Sequence, residues 1–224
     1  MADNLEGIVN INGDSVQALE IIILTTLITL LPSLVIMCSS FTRYIIALSF
    51  LRNAMGTQQT PPNMVLVGVA LFLTLFTMSP VIDQVNTQAY TPYINEEITQ
   101  DEFFDQAQVP LKEFMLRNTE PSSLNMYCDL ASIDRPSSEE AAVDLPLRVV
   151  TPAFITTELK RAFEIGFYLY VPFLLIDIIV ASTLMSMGMV MLPPSMISTP
   201  FKLLLFISIN GWEMVFSTLV QTFN

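Results

Sequence analysis

The sequence contains no histidine and few charged residues of either sign. Aspartate, glutamate, lysine and arginine together make up 13% of the 224 residues, whereas soluble domains usually carry about 25%. The absence of histidine removes the most common general base and the most common metal ligand. P-loop, GxGxxG, HExxH and GxSxG motifs are absent as well. We therefore predict no enzymatic activity, no metal site and no cofactor.

Cysteine and positive charge are also scarce. Cys38 and Cys128 are the only cysteines and belong to no motif, so unpaired thiols are favoured over a disulfide. The net charge of −12 argues against nucleic-acid binding, which needs a basic surface. Residues 1–15 lack the basic start and apolar core of a signal peptide. We expect that a signal was removed or never present, or that the first helical hairpin itself directs insertion.

Apolar residues are abundant and lie in four blocks. Hydrophobic residues account for 52% of the chain, and the blocks span 16–37, 64–82, 163–187 and 197–220. Each block is long enough to cross about 30 Å of hydrocarbon as a helix. The pattern predicts an all-α integral membrane protein of two long helical hairpins joined by a small helical extracytoplasmic region.

The same pattern divides the chain into four segments. They are a polar N-terminal segment at 1–15, a first hairpin at 16–82, an acidic extracytoplasmic helical region and loop at 83–151, and a second hairpin with a methionine cluster at 152–224. Each hairpin turn contains a double proline, at 61–62 and 193–194. Two adjacent prolines cannot continue a helix and favour a turn.

Two of the predicted helices are longer than a bilayer is thick. A helix over 16–55 would be about 60 Å long at 1.5 Å per residue, with a kink at Pro32. A helix over 156–191 is also too long. The excess length predicts that parts of both helices pack against protein.

The segment between the hairpins is acidic and shows one clear helix start. Residues 83–150 contain thirteen acidic and four basic side chains. The motif Thr99-Gln-Asp-Glu102 predicts a capping box, followed by a helix that Pro110 interrupts. Residues 132–145, rich in serine, proline and acid, are predicted to form an exposed loop.

Charged residues inside the apolar segments would be costly in lipid, so we expect them to face protein or water. Arg43, Arg52 and Asp177 are predicted to be buried structural charges, and a proton relay is the alternative for Asp177. The turn at 193–194 would set Lys202 opposite Met185, about 40 Å from Glu158 along the helix. We therefore predict a Glu158–Lys202 ion pair between neighbouring subunits, with solvation of both charges as the alternative.

Methionines cluster where the third apolar block ends. Met185, Met187, Met189 and Met191 alternate around Gly188. Methionine is unbranched and adaptable, so these side chains are either core filler at a helix end or a flexible ring that closes a pore by excluding water. The residues alone favour core filler.

Several ordered motifs resemble one family of membrane proteins. The charged run at 152–167 leads to Asp177 and then to Met-Gly-Met-Val-Met-Leu-Pro-Pro at 187–194, a block similar to that of the FliP family, called SctR in virulence secretion systems. Further similar motifs lie at 40–44, 51–56, 61–64, 70–74, 78–83, 200–203 and 210–212. The resemblance covers nearly the whole chain.

The resemblance implies a core pore-forming subunit of the flagellar type III protein export gate, which conducts unfolded flagellar proteins out of the cytoplasm. Several copies would assemble with FliQ and FliR, and FlhB and FlhA would associate at the cytoplasmic side. The chain would lie in the bacterial cytoplasmic membrane, with much of it extracytoplasmic. A methionine gasket would fall on Met187, Met189, Val190 and Met191. An SctR injectisome subunit and an ion-coupled transporter using Asp177 are the alternatives.

Overall fold

The computed structural model describes residues 9–11, 14–16, 22, 25–26, 29, 33, 36–57, 59–189 and 191–223. The chain forms two compact units, Met1–Met37 and Cys38–Asn224. Most of the described chain is helical, as the composition predicts.

The first unit contains a short antiparallel pair of strands, β1 (Val9–Ile11) and β2 (Asp14–Val16). Further along, the Thr26 hydroxyl donates to the carbonyl of Ile22 at 2.7 Å, a bond typical of a helical threonine. The predicted start of a helix at Val16 is wrong, because that residue belongs to β2. Pro32 and most of the first apolar block lie outside the described residues.

The second unit opens with a break that the apolar pattern does not predict. Residues 38–40 are not helical, and α1 (Phe41–Ala54) begins after them. The hydroxyl of Ser39 accepts a hydrogen bond from the Phe41 amide at 3.4 Å. Serine side chains compete in this way with the backbone bonds of a helix. The predicted continuous helix over 16–55 is therefore wrong at this point as well.

Eight further helices and one π-helical turn follow α1 in the described part of the chain. They are α2 (Asn63–Val85), the π-helical turn (Asn86–Tyr90), α3 (Thr91–Ile94), α4 (Gln100–Arg117), α5 (Pro121–Leu130), α6 (Glu139–Ala142), α7 (Leu147–Ser186), α8 (Pro194–Ser208) and α9 (Gly211–Gln221). Each double proline lies at the start of a helix. Pro62 immediately precedes α2, and Pro194 is the first residue of α8. Proline fits a helix start because its missing N–H has no partner there in any case.

Two of the described helices are long and apolar enough to cross a membrane. They are the continuous helix Asn63–Ile94, which joins α2 to α3, and α7. The pair α8 and α9 passes the same test together, with a bend of 67° between them. At 40 residues, α7 is about 60 Å long. It begins and ends earlier than the predicted helix over 156–191, but its excess length over a bilayer agrees with the prediction.

The last apolar block is not one helix. Asn210 has φ +50°, a left-handed conformation that asparagine tolerates better than most residues. Gly211 follows, and a Cβ there would lie 2.3 Å from the Phe206 ring. The close approach of Phe206 therefore requires glycine at the bend. The Asn-Gly dipeptide is a turn signal in sequence. It lies at the bend, where the apolar block over 197–220 divides into two helices.

The core of the second unit lies around α1. That helix packs against α7 and α2, while α4 and α5 pack against α7. Tyr44, Leu48 and Leu51 of α1 are buried together with Val150 and Phe154 of α7. α1 is thus an internal helix of the second unit, surrounded by longer ones.

In the acidic segment the predicted helix start is present, but the predicted helix break at Pro110 and the fully exposed loop are not. The capping box between Thr99 and Glu102 is present and opens α4, and Pro110 lies inside that helix without ending it. The stretch 132–145 is not wholly exposed, because Ala142 and Leu145 are buried. Lys112 also donates to the carbonyl of Val143 at 3.3 Å. Apolar burial at these two positions holds the end of the loop against the core.

Candidate functional site

The methionine segment begins at a well-formed helix end. Gly188 has φ +74°, its amide donates to the carbonyl of Met185, and the amide of Met189 donates to that of Leu184, both at 3.0 Å. These two bonds and the left-handed glycine form a Schellman motif. The motif ends α7 and turns the chain, so Met187, Gly188 and Met189 do not continue the helix.

The methionines around this turn are exposed on the isolated chain. The exposed fraction is 68% for Met185, 64% for Met187, 40% for Met189 and 97% for Met191. The residues alone favoured the interpretation that these methionines fill the core of the subunit. For these four positions that interpretation is wrong. Val190 lies outside the described residues. The gasket itself stays a prediction, since it concerns an assembly of several chains.

A buried ion pair joins α1 to α7. Arg43 binds the carboxylate of Glu158 through two nitrogens: Nε donates to Oε2 at 2.8 Å, and Nη2 donates to Oε1. Both side chains are fully buried. This bidentate geometry suits a guanidinium and a carboxylate. The two opposite charges compensate each other, and either one alone would be costly in the interior. The prediction that Arg43 is a buried structural charge is consistent with this geometry.

The same arginine holds the end of the chain. Arg43 Nη1 donates to the carbonyl and to the hydroxyl of Thr222, each at 2.9 Å. Its guanidinium carbon lies 3.5 Å from the centre of the Phe223 ring, which also stacks on Phe114. Arg43 therefore links α1, α7 and the residues after α9. Sequence reasoning did not assign this role to Thr222 and Phe223, and no signal in the sequence indicated it.

A second ion pair joins α7 to α8. Lys202 Nζ donates to Asp177 Oδ2 at 2.6 Å and to the carbonyl of Ala54 at 3.0 Å. Ala54 is the last residue of α1, so its carbonyl has no partner within that helix. A cation is favourable at this negative end of the helix dipole. Lys202 is buried, whereas about a third of the Asp177 side chain is exposed.

The register of α7 and α8 differs from the one predicted. Lys202 lies opposite Asp177, and not opposite Met185. The prediction counted along α7 up to the double proline, but α7 ends at Ser186. The loop residues between the helices add no helical rise, so the facing residues shift along α7. Lys202 therefore has a partner within its own chain, which the sequence analysis did not predict.

Glu158 and Lys202 each have a partner within the chain, Arg43 and Asp177 respectively. A pair between the two in neighbouring subunits stays a prediction, since it concerns contacts between chains. Arg52 is half-buried and donates weakly to the carbonyl of Pro61, at 3.4 Å. Its Nε is buried without an acceptor among the described residues.

A further ionic contact ties the acidic segment to α7. Glu120, the residue before α5, accepts two bonds from Lys160 Nζ at 2.8 and 2.9 Å, and its amide donates to Thr157 at 3.1 Å. The hydrogen bond from Lys160 lowers the pKa of Glu120 below its ordinary value. Both side chains are partly exposed, so the contact orients α5 more than it stabilises the fold.

Long apolar helices held together by buried ion pairs define a helical protein of the membrane class. Within that class, the model of the FliP family matches residues 24–219. This match covers most of the chain, and relatives of similar length share nearly half of its residues. The chain belongs to the FliP family.

Three relatives illustrate the similarity. The flagellar biosynthetic protein FliP of Aquifex aeolicus (strain VF5) is 48% identical over 211 residues, which cover 94% of this chain and 88% of that protein. The protein of the same name from Bacillus subtilis (strain 168) is 45% identical and covers 92% of each chain. That of Caulobacter vibrioides is 46% identical over 96% of this chain and 82% of its own length.

Proposed function

We propose that this chain is a core pore-forming subunit of the flagellar type III protein export gate. In that role several copies would assemble with FliQ and FliR, while FlhB and FlhA would associate at the cytoplasmic side. The complex would conduct unfolded flagellar proteins across the bacterial cytoplasmic membrane. Membership of the FliP family and the flagellar names of the relatives support this role. Those names also favour a flagellar subunit over an injectisome subunit.

The exposure of the methionines is the observation that carries the proposal. A side chain that is 97% exposed, as Met191 is, contributes nothing to the packing of its own subunit. A group of exposed apolar side chains marks a surface that binds another protein, a membrane or a ligand. A ring of Met187, Met189 and Met191 from several copies would form an apolar constriction, which blocks ions by excluding water and yields to a polypeptide because methionine is flexible.

We further propose a topology of two helical hairpins with the acidic segment on the extracytoplasmic side. In this arrangement α1 and α2 belong to the first hairpin, and α7 with α8 and α9 forms the second. The acidic segment, which includes α4 to α6, carries thirteen of the 21 acidic residues of the chain. Asp177 would serve as a structural charge and not as a proton relay, because Lys202 holds it at 2.6 Å.

The test replaces Met187, Met189 and Met191 together with alanine. We expect the export complex to assemble and the membrane to leak small ions, because the constriction widens. The matched control replaces three exposed methionines elsewhere, Met64, Met126 and Met214, and should leave the ion barrier intact. Membrane conductance and the yield of the purified complex are the two measurements.

Two results would contradict the proposal. A fully assembled triple variant with a normal ion barrier would exclude these residues as a gasket. Purified protein that stays a monomer when co-expressed with FliQ and FliR would exclude the gate altogether, and would favour a transporter that works alone or as a dimer.

A further inference from the structure

An aromatic groove lies on the surface between α1 and α7. It has a volume of about 560 Å³. Its lining residues are Phe50, Phe163, Glu164, Phe167, Tyr168 and Tyr170. Five of the six carry aromatic rings, and the sixth is a carboxylate.

The floor of the groove is fixed by a close helix contact. Phe50 of α1 lies so near Gly166 of α7 that a Cβ on the glycine would be 2.6 Å from the Phe50 ring. Phe50 and Phe163 meet edge to face, with ring centres 5.3 Å apart. The rings are therefore held in place by backbone packing, and the groove is formed before any partner arrives.

The rings around the floor are exposed. More than half of the surface of Phe163, Phe167 and Tyr168 is accessible. Phe167 and Tyr168 also contact each other edge to face. Several accessible rings around one carboxylate form the type of site that attracts a cation, because the faces of aromatic rings carry negative potential.

The carboxylate of Glu164 forms no ion pair within the described part of its own chain, although the charge of Lys160 acts on it from one turn away. Within those residues no cation lies within 4 Å of it. Lys160, one turn away on α7, is bonded to Glu120. The charge of Arg161 acts on Glu120 and on Glu158.

We propose that the groove receives a lysine or arginine side chain from a helix of a different protein. Glu164 would supply the opposite charge and the rings would contact the cation and its apolar stem. This inference rests on the proposed function in one respect, namely that the chain works inside a complex of several proteins. It goes further by assigning a docking surface and the chemistry of its partner.

The charge balance of the chain favours a different protein over a second copy. The chain has nine basic residues against 21 acidic ones. Four of the nine already form ion pairs within the chain: Arg43, Arg135, Lys160 and Lys202. The five that remain are far outnumbered by the acidic residues, so a second copy brings an excess of negative charge to Glu164, whereas a basic partner is attracted.

The experiment places a photo-reactive benzoylphenylalanine at position 168 of the full chain, in cells that make the whole export apparatus. After irradiation, mass spectrometry identifies the cross-linked peptide. We expect a peptide of another protein with a lysine or arginine within one helical turn of the cross-link. Glu164→Lys should lower the yield of this adduct by about tenfold, through charge repulsion.

Two further variants sharpen the test. Glu213→Lys changes another exposed carboxylate, on α9, and should leave the adduct unchanged. Reversing the partner's basic residue to glutamate in the Glu164→Lys background should restore the adduct. The proposal would be overturned by a cross-link to a second copy of this chain, by a cross-link to lipid or by the absence of any cross-link. It would also be overturned if Glu164→Lys left the yield of the adduct unchanged.

Failure of this inference is distinguishable from failure of the proposed function. If the proposed function is wrong, the unmodified chain does not co-purify with other export proteins at all. If only the docking surface is wrong, the complex purifies normally and its cross-links at position 168 do not depend on Glu164.

Discussion

Arg43 and Glu158 face each other across the contact of α1 and α7, and neither side chain is exposed to solvent. Arg43 lies among the buried residues of α1. It also donates a hydrogen bond to the carbonyl of Thr222, near the last described residue. Two charges at this depth are tolerated because each satisfies the other. A single arginine side chain thereby joins three parts of the second unit.

Removing one member of the Arg43–Glu158 pair should destabilise the protein strongly. Glu158→Gln leaves a buried guanidinium without its opposite charge, which costs about 3–5 kcal/mol. Thermal unfolding of the detergent-purified chain measures the loss. The double variant Arg43→Met with Glu158→Leu should be more stable than either single change, and an additive loss would show that the two side chains do not interact.

The Asp177–Lys202 pair should respond unequally to its two single substitutions. Asp177→Asn leaves the buried Lys202 ammonium without its counter-ion, and we expect a loss of about 3 kcal/mol. Lys202→Met leaves a carboxylate that is about a third exposed and can be hydrated, so the loss should be near ~1 kcal/mol. Unfolding by heat in the same detergent compares the two, and equal losses would contradict this account.

Phe223 should matter for stability although it lies next to the end of the chain. It is buried, contacts Arg43 and lies against Phe114 and Tyr44. Phe223→Ala should cost about 3–5 kcal/mol. The control Phe72→Ala removes an exposed ring from α2 and should change the unfolding temperature little. A small effect of Phe223→Ala would show that the end of the chain is not fixed to the core.

Two glycines should respond in opposite ways to alanine. Gly211→Ala forces a methyl group against the Phe206 ring, and overpacking of this kind costs about 1–3 kcal/mol. Gly68 lies within α2 with no atom within 4 Å of an added Cβ, so Gly68→Ala should stabilise that helix by up to about 1 kcal/mol. Unfolding temperatures of the two variants check the sign of each effect.

The contact between Glu120 and Lys160 should make stability depend on pH in the acidic range. The pKa of Glu120 is lowered in the folded chain by its bond to Lys160. The stabilisation is therefore present above the ordinary pKa of a glutamate and is lost as the pH falls through the lowered value. Lys160→Gln should flatten this part of the pH profile of unfolding. An unchanged profile would show that the contact does not form in solution.

The sequence alone determined the class of the protein and several local features. Blocks of apolar residues predict membrane-class helices because burying a helix backbone in lipid requires about 20 apolar residues in a row. Thr99 and Glu102 predict a helix start because their side chains and backbone amides lie within hydrogen-bonding distance whatever the rest of the chain does. The end of α7 near Gly188 also has a local cause, since glycine is the residue that best adopts a left-handed conformation, although the predicted helix ran on to residue 191.

The partners of the charges were decided by the tertiary structure. Arg43 and Glu158 are far apart in sequence, and the register of their helices depends on how all the surrounding side chains pack. For Lys202, a few residues of loop before α8 were enough to place it opposite Asp177 and not opposite Met185. The exposure of the methionines was also a tertiary outcome, because a flexible apolar side chain suits a core and a surface equally well, and only the packing of the whole unit decides between them.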